Sequence, residues 1–413
     1  MKVLATLAAV VIALAAPALA RADTVTHWNS IASSAIFVTA AQPPQQSVPH
    51  LAMVHGAVYD AVNAIDGGHE GYLISSRLAT PFDSRDAAAA TAAYRTLLNI
   101  VPAQEPALTA QYSVSLATIP DGPQKTRGIA VGEAAAAAMI AARTADGRFG
   151  APGFPTGPGA GVWRQVLPSF VNDPNGWLRN VKPFLIRDAS QFRSRGPYPL
   201  TSRRYAREFE QVKELGRDTS TERTPDQTHA ALYWMENPPR TWNRIFQTLS
   251  AQKGLTLTEN ARFFAELYLT SADTLISVWE DKAFWSFWRP IAAIREADTD
   301  GNPRTEADPS WLPLVPTPPY PDHPSGHSGL SGSYVETLQD FFGRDRVTLT
   351  DTNLAGRTRS WSRFSDMIDE IVYARMWSGI HFLNPDKQGA KMGEDVANYR
   401  ERHYFGRVHG HDD

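Results

Sequence analysis

The sequence predicts an all-α protein, a multi-helix bundle of ten or more helices. Apolar residues recur at helical spacing along most of the chain, and the sequence has no long stretches of the period-two alternation that would indicate strands. The chain has 413 residues, of which 43% are hydrophobic. That is enough for one large or two ordinary domains with a substantial core.

The first predicted helix follows Ser47 and buries one stripe of residues spaced three or four apart, namely Leu51, Val54, Val58, Val62 and Ile65. Further segments show the same periodicity, in chain order Ser84–Val101, Ala107–Ala117, Pro123–Arg143, Ser202–Leu215, Thr228–Met235, Trp242–Gln252, Thr258–Trp288, Ser328–Phe342, Ser365–Trp377 and Lys387–Tyr404. A Pro-rich loop, residues 298–324, leads directly into a Pro-Ser-Gly-His turn, and we expect it to form the rim of a pocket.

A second long loop, residues 146–176, is rich in glycine and proline and divides the chain. We predict an N-terminal helical half, residues 23–175, that ends in this loop; the alternative role of the loop is a lid or a dimer arm. The C-terminal half, residues 176–413, carries the candidate site. Extensive helical surfaces often pair, so a homodimer is expected.

The N-terminus predicts export. Met1 and Lys2 form a short basic start, an apolar run follows from Val3 to Ala16, and small residues allow cleavage after Ala20 or Ala22. Residues 1–22 are therefore predicted to be a signal peptide of a secreted or periplasmic protein, with an uncleaved anchor as the alternative. No later apolar stretch reaches the ~18 residues that a membrane span needs, so no membrane partner is expected.

Charge and cysteine content narrow the classes of function. The formal net charge is −3, which argues against nucleic acid as a partner because such partners require a broad basic surface. The sequence contains no cysteine. Disulfides therefore do not stabilise the fold, and thiol chemistry is excluded.

Three short stretches together predict a pocket for a tetrahedral oxyanion. Lys282 and Arg289 are seven residues apart, so on one continuous helix they would lie on the same face two turns apart. Ser325 is placed to cap the helix that follows it, and the backbone N–H groups near Gly326 would point outward at the positive end of the helix dipole.

Arg375 and His381 complete this pattern. Arg375 lies late in a predicted helix, and its planar guanidinium suits bidentate bonding to an oxyanion. His381 follows just beyond the predicted helix end at Gly379. Taken singly, the two basic residues of the first stretch indicate a solvated helix face, and the Pro-Ser-Gly-His run indicates a turn and a cap. Only the combination favours an anion site.

Other chemistries fit less well. Divalent cations need three or four convergent His, Cys or carboxylate ligands, whereas this pattern offers positive charge with one or two imidazoles. The sequence contains no Gly-x4-Gly-Lys-Ser/Thr phosphate loop. Ser325 lacks the Gly-x-Ser-x-Gly setting of a nucleophilic serine, so a role as cap and anion donor fits it better.

The order Lys-x6-Arg-Pro, Pro-Ser-Gly-His and Arg-x5-His resembles the superfamily shared by vanadium-dependent haloperoxidases and type-2 phosphatidic acid phosphatases, including bacterial class A acid phosphatases. Seven positions match in order: Lys282, Arg289, Ser325, Gly326, His327, Arg375 and His381. The stretches 278–295 and 317–327 resemble the haloperoxidase branch. The resemblance covers about residues 45 to 405, strongly only after Glu259.

The resemblance implies vanadate as the cofactor and a role for each residue. The oxygens of vanadate would be held by Lys282, Arg289, Ser325, the Gly326 amide and Arg375. His381 would bond the vanadium, and His327 would act as general acid–base toward hydrogen peroxide. Lys282 would also polarise the bound peroxide for attack by halide. The product would be a hypohalous species, released freely or passed to an organic acceptor.

The same resemblance suggests a halide pocket. Tyr320 aligns with a position where haloperoxidases often carry an aromatic residue, while Trp279 and His323 lie close to matched positions in the sequence. Ordinary packing for the two aromatic residues and a loop position for His323 are the alternatives.

A periplasmic acid phosphatase is the alternative function, because vanadate mimics phosphate and phosphate competes for the same cradle. His381 would then form a phosphohistidine while His327 protonates the leaving group. Phosphatases usually place an Asp four residues after the second His to orient it; here Pro385 stands there, and Asp386 follows one residue later. An oxyanion-binding protein without turnover is a third class, which would not require His327.

Overall fold

A computed structural model describes residues 23–75 and 79–408, and within these ranges the regular secondary structure is almost entirely helical. The α-helices are α1 Thr24–Ser33, α2 Pro44–Asp66, α3 Arg85–Ile100, α4 Glu105–Ala117, α5 Pro123–Ala142, α6 Arg203–Leu215, α7 Pro225–Tyr233, α8 Pro238–Lys253, α9 Leu257–Trp285, α10 Pro290–Arg295, α11 Gly326–Phe342, α12 Phe364–Trp377 and α13 Leu383–His403. One antiparallel hairpin pairs β1 Arg346–Thr352 with β2 Thr358–Arg363. The predicted all-α fold class is confirmed.

Most of the predicted helices are present and begin at recognisable caps. Thr256 and Glu259 form a capping box at the start of α9, and Thr224 with Gln227 forms another at α7. Helices α1 and α10 and the hairpin were not predicted. Helix α10, with six residues, is too short for periodicity to identify it, whereas β1 alternates exposed and buried residues over seven positions and so carried a strand signal that was missed.

The prediction that one helix runs from Thr258 to Trp288 is wrong at its C-terminal end. Helix α9 stops at Trp285, because Ser286 takes the left-handed conformation with φ 41° and ψ 46°. The long loop holds this break in place: Trp163 N donates to Ser286 O at 2.7 Å, and Trp288 N donates to Gly161 O at 3.0 Å. The chain therefore leaves the helix before it reaches Arg289.

The core is formed by helices from both predicted halves of the chain. Helix α9 packs against α2 from the first half and against α11 from the second, while α11 also packs along α13. One continuous cluster of buried apolar residues extends from Val25 to Phe405. Within the described ranges, no helix is both long and apolar enough to cross a membrane. The predicted signal peptide, residues 1–22, lies outside the described residues.

Helices α11 and α13 approach each other closely because glycines line their contact. A Cβ atom on Gly332 would lie 2.4 Å from the backbone oxygen of Ala390, and one on Gly389 would lie 2.3 Å from the oxygen of Ser325. Since these neighbours are backbone atoms, they cannot move without shifting a helix. This packing fixes the start of α11, where Ser325 and Gly326 lie, against the start of α13.

We expect Gly332→Ala to lower the free energy of unfolding by about 1–3 kcal/mol or more, because the added methyl forces α11 and α13 apart. Chemical denaturation followed by circular dichroism measures this change. Gly159→Ala is the control, since a Cβ there would meet Val162 at an ordinary 3.6 Å. Equal denaturation midpoints for the two variants would contradict the proposed close packing.

Candidate functional site

Lys282 and Arg289 converge on one buried loop segment, although they do not share a helix. Lys282 Nζ donates to the backbone oxygens of Pro321 at 2.6 Å and Asp322 at 3.0 Å. Arg289 Nε donates to the backbone oxygen of Tyr320 at 2.8 Å. Both basic side chains are fully buried. We expected the end of the Pro-rich loop to lie at the rim of the pocket. It is instead buried, and its backbone carbonyls at residues 320–322 hold the two basic side chains in position.

Ser325 and Gly326 stand at the start of α11 as predicted. The Ser325 hydroxyl accepts from the N–H of Ser328 at 3.4 Å, which is a long capping contact. Gly326 is the first helical residue, and a Cβ atom there would lie 2.9 Å from the ring of Trp279. Only glycine therefore leaves room for the tryptophan beside this helix start, where backbone N–H groups are free of intrahelical partners.

His381 lies in the same cluster and contacts an aspartate. Its Nδ1 contacts Oδ1 of Asp322, while its Nε2 lies 3.4 Å from Ser325 Oγ and 3.1 Å from Arg289 Nη1. A carboxylate at Nδ1 favours the tautomer with the proton on that nitrogen. The lone pair on Nε2 is then directed toward the serine and the guanidinium.

His327 and Arg375 meet beneath the loop that follows α7. Arg375 Nη1 donates to the backbone oxygen of Trp234 at 3.3 Å, and the Trp234 ring contacts His327 edge-on with centroids 6.0 Å apart. Glu370 fixes this tryptophan by accepting from its Nε1 at 2.8 Å. His327 is 8% exposed, so it is the matched imidazole with the most access to solvent.

Two of the three candidate halide-pocket residues border the cations. The Tyr320 ring lies 4.9 Å from the Arg289 guanidinium and 5.1 Å from Lys282 Nζ, and its centroid is 5.1 Å from that of Trp279. The third candidate, His323, is fully buried, and its Nε2 lies 2.9 Å from the hydroxyl of Ser194. Its known hydrogen-bonding partner therefore lies outside the cation cluster.

The electrostatics of the cluster favour a bound anion. Burial, with Arg289 alongside, lowers the pKa of Lys282 well below its usual value. Burial also lowers the pKa of His381 well below its usual value, as do the surrounding cations. Burial raises the pKa of Asp322 to about 7, against the opposing effect of Arg289 and Lys282. An oxyanion among these groups would favour their protonated forms and offset the cost of burying them.

The residues present fit vanadate or phosphate. Within residues 23–75 and 79–408, three buried nitrogens of the cluster have no hydrogen-bond partner: Arg289 Nη2, Arg375 Nε and His327 Nε2. Buried polar atoms are normally satisfied, so two orphaned guanidinium donors beside further positive groups are typical of a site that receives an acceptor-rich ligand, and the free His327 nitrogen is available for proton transfer. All seven matched residues therefore belong to one cluster that can receive an oxyanion.

The carboxylate that orients His381 is not the one suggested by position in the sequence. Asp386 instead accepts from the hydroxyl of Ser328 at 3.0 Å. The carboxylate at His381 Nδ1 is that of Asp322, which lies three residues before Ser325. Sequence reasoning missed Asp322 and Trp234. Adjacency to the Pro-Ser-Gly-His turn was an available signal for Asp322, whereas the contacts of Trp234 depend on segments more than 90 residues away.

Comparison with known proteins shows which families and folds this chain resembles. Residues 262–410 match the family model of the VCPO second helical-bundle domain. This match lies within the C-terminal half of the chain. The vanadium chloroperoxidase of Curvularia inaequalis is 32% identical over 111 residues, which are 23% of this chain and 18% of that protein. The chain thus matches less than a fifth of the length of this curated haloperoxidase.

Solved haloperoxidase structures share the fold over nearly the whole chain. A structure described as the first bacterial vanadium-dependent iodoperoxidase has a TM-score of 0.81 at 20% identity and covers 94% of this chain and 98% of its own. A bacterial vanadium-dependent chloroperoxidase in its apo form has a TM-score of 0.68 at 15% identity, covering 90% and 99%. The resemblance inferred from the motifs is confirmed, and the haloperoxidase fold includes the N-terminal helices.

Proposed function

We propose that this protein is an exported vanadate-dependent haloperoxidase that oxidises halide with hydrogen peroxide to a hypohalous species. The observation that carries the proposal is the buried cluster in which Arg289, Arg375 and His327 present unpartnered nitrogens beside an oriented His381. The match to the VCPO second helical-bundle domain covers these residues, which supports vanadate as the oxyanion in this proposal.

Each residue has a distinct part in the proposed reaction. Lys282, Arg289, Arg375, the Ser325 hydroxyl and the Gly326 amide would hold the oxygens of vanadate, and His381 Nε2 would bond the vanadium. Bound vanadate would supply Lewis-acid activation of hydrogen peroxide. The buried cations stabilise negative charge on oxygen without having to reorganise, because backbone carbonyls already hold Lys282 and Arg289 in position.

His327 is the proposed general acid–base. Its Nε2 has no hydrogen-bond partner among the described residues, and burial and Arg375 lower its pKa well below the usual value. The imidazole is therefore neutral before peroxide arrives and can accept a proton from it. Tyr320 and Trp279 would form the wall beside which halide approaches.

The phosphatase alternative is favoured by one observation. Asp322 at His381 Nδ1 supplies the orienting carboxylate that the phosphatase pattern requires, so Nε2 could attack phosphorus. Vanadate would then act as an inhibitor in place of phosphate. The two functions differ in substrate: the haloperoxidase acts on hydrogen peroxide and halide, and the phosphatase acts on a phosphate ester.

A paired assay on protein stripped of bound anions tests the proposal. One arm follows bromination of a dione with hydrogen peroxide, bromide and added orthovanadate; the other follows phosphate-ester hydrolysis without vanadium. We expect bromination that depends on vanadate and is suppressed by phosphate. Ester hydrolysis inhibited by vanadate, without bromination, would replace the haloperoxidase proposal with the phosphatase.

Export is part of the proposal. The Asp23 carboxylate caps α1 by accepting from Thr26 N at 2.9 Å, and it also accepts from the Asn260 side chain at 2.7 Å. Cleavage after Ala20 or Ala22 would leave these contacts intact. N-terminal sequencing of protein recovered from outside the cytoplasm is expected to begin at Arg21 or Asp23, whereas an intact Met1 would contradict cleavage.

A further inference from the structure

Met235 differs from the other methionines of the described residues in its exposure. Its side chain is 38% exposed, whereas the others are at most 2% exposed, namely Met53, Met139, Met367, Met376 and Met392. The sequence contains no cysteine. Met235 is therefore the accessible sulfur in the part of the chain that the structure describes.

This accessible sulfur also lies against the oxyanion site. Arg375 Nη1 approaches Met235 Sδ at 3.9 Å, while the same nitrogen donates to the backbone oxygen of Trp234 at 3.3 Å. Trp234 in turn contacts His327. Met235 thus combines exposure to solvent with a position beside Arg375 and next to the tryptophan that contacts the proposed acid–base residue.

We propose that Met235 is a modification site. Hypohalous acid formed by the enzyme oxidises the Met235 sulfur, and this oxidation weakens oxyanion binding. The inference rests on the proposed haloperoxidase function. In the step, the thioether sulfur loses two electrons and gains one oxygen to become a sulfoxide. Hypohalous acid is the oxidant; it supplies the oxygen and is reduced to halide with release of one proton.

Oxidation of Met235 would affect oxyanion binding through the oxygen that the sulfoxide adds. A sulfoxide oxygen is a strong hydrogen-bond acceptor, whereas a thioether sulfur is a weak one. It would extend from Sδ toward Arg375 Nη1 and compete there with the Trp234 carbonyl, so the guanidinium would turn and withdraw its unpartnered Nε from the oxyanion. Losing one charge-assisted hydrogen bond of about 1.5 kcal/mol corresponds to roughly tenfold weaker binding. Accumulated product would in this way reduce the affinity of the site.

Peptide mapping during turnover tests the source of the oxidation. Protein with orthovanadate, bromide and hydrogen peroxide is compared with samples lacking bromide or lacking vanadate. We expect a gain of one oxygen at Met235 before any at the five buried methionines, and only in the complete mixture. Bromination with Met235 unmodified would overturn this inference alone, whereas absence of bromination would overturn the proposed function and remove the oxidant.

Binding of inorganic phosphate tests the consequence without requiring turnover. Calorimetry is performed before and after treatment with added hypobromous acid, limited to conditions that mapping shows to modify Met235. We expect affinity to fall about tenfold and to return after methionine sulfoxide reductase treatment, while Met235→Leu keeps its affinity through the same treatment. Met235→Gln, with an amide oxygen at similar reach, is expected to bind weakly without oxidation. Unchanged affinity in both the oxidised protein and the Gln variant would overturn the inference.

Discussion

His381→Ala is expected to abolish vanadate-dependent bromination, with a loss on the order of 10³-fold or more. The substitution removes the nitrogen that is proposed to bond the vanadium, while the cations that hold the oxygens stay in place. Vanadate retention after gel filtration and bromination of a dione measure the two effects. Phosphate affinity is expected to fall much less, because phosphate binding relies mainly on Lys282, Arg289 and Arg375.

His327→Ala provides the matched comparison, because it removes the other imidazole of the cluster. It is expected to leave phosphate affinity nearly unchanged while turnover is lost, since its proposed role is proton transfer. Full activity in His381→Ala would remove the assigned ligand. A wild-type protein that binds oxyanion but shows neither bromination nor ester hydrolysis would indicate a binding protein without turnover.

Asp322→Asn is expected to reduce vanadate affinity and activity by roughly 10- to 100-fold, the usual effect of losing a carboxylate that orients a metal-ligating histidine. The carboxylate contacts His381 Nδ1 and lies 3.5 Å from Arg289 Nη1. An amide loses the negative charge at both contacts and can present its NH₂ group to the ring. Vanadate titration and steady-state kinetics measure the effect, and a nitrogen-15 spectrum reports the tautomer of His381.

Asp386→Asn is the matched control for this prediction. Asp386 is also fully buried, but it does not contact His381; it accepts from the Ser328 hydroxyl, for which an amide oxygen is an adequate acceptor. We expect a much smaller change in affinity and no change in the tautomer of His381. The reverse ranking of the two variants would show that Asp386, as position in the sequence suggested, orients the histidine.

Much of the fold was predictable because helix periodicity and capping are local properties. Helices α3, α5 and α12 begin and end within one residue of their predicted bounds. Helix α9 illustrates the limit of this reasoning. Its apolar pattern continues through Trp288, yet backbone hydrogen bonds from the distant loop at Gly161 and Trp163 fix a left-handed residue at Ser286 and end the helix early.

The sequence by itself determined the all-α class, the composition of the anion site and the seven matched residues, because residue type and order along the chain carry that information. Only the tertiary structure decided that Lys282 and Arg289 converge through the carbonyls of residues 320–322. It also decided that Asp322 contacts His381 and that Met235 lies beside Arg375. These contacts join separate segments, and their geometry depends on how helices and loops pack, which local spacing does not encode.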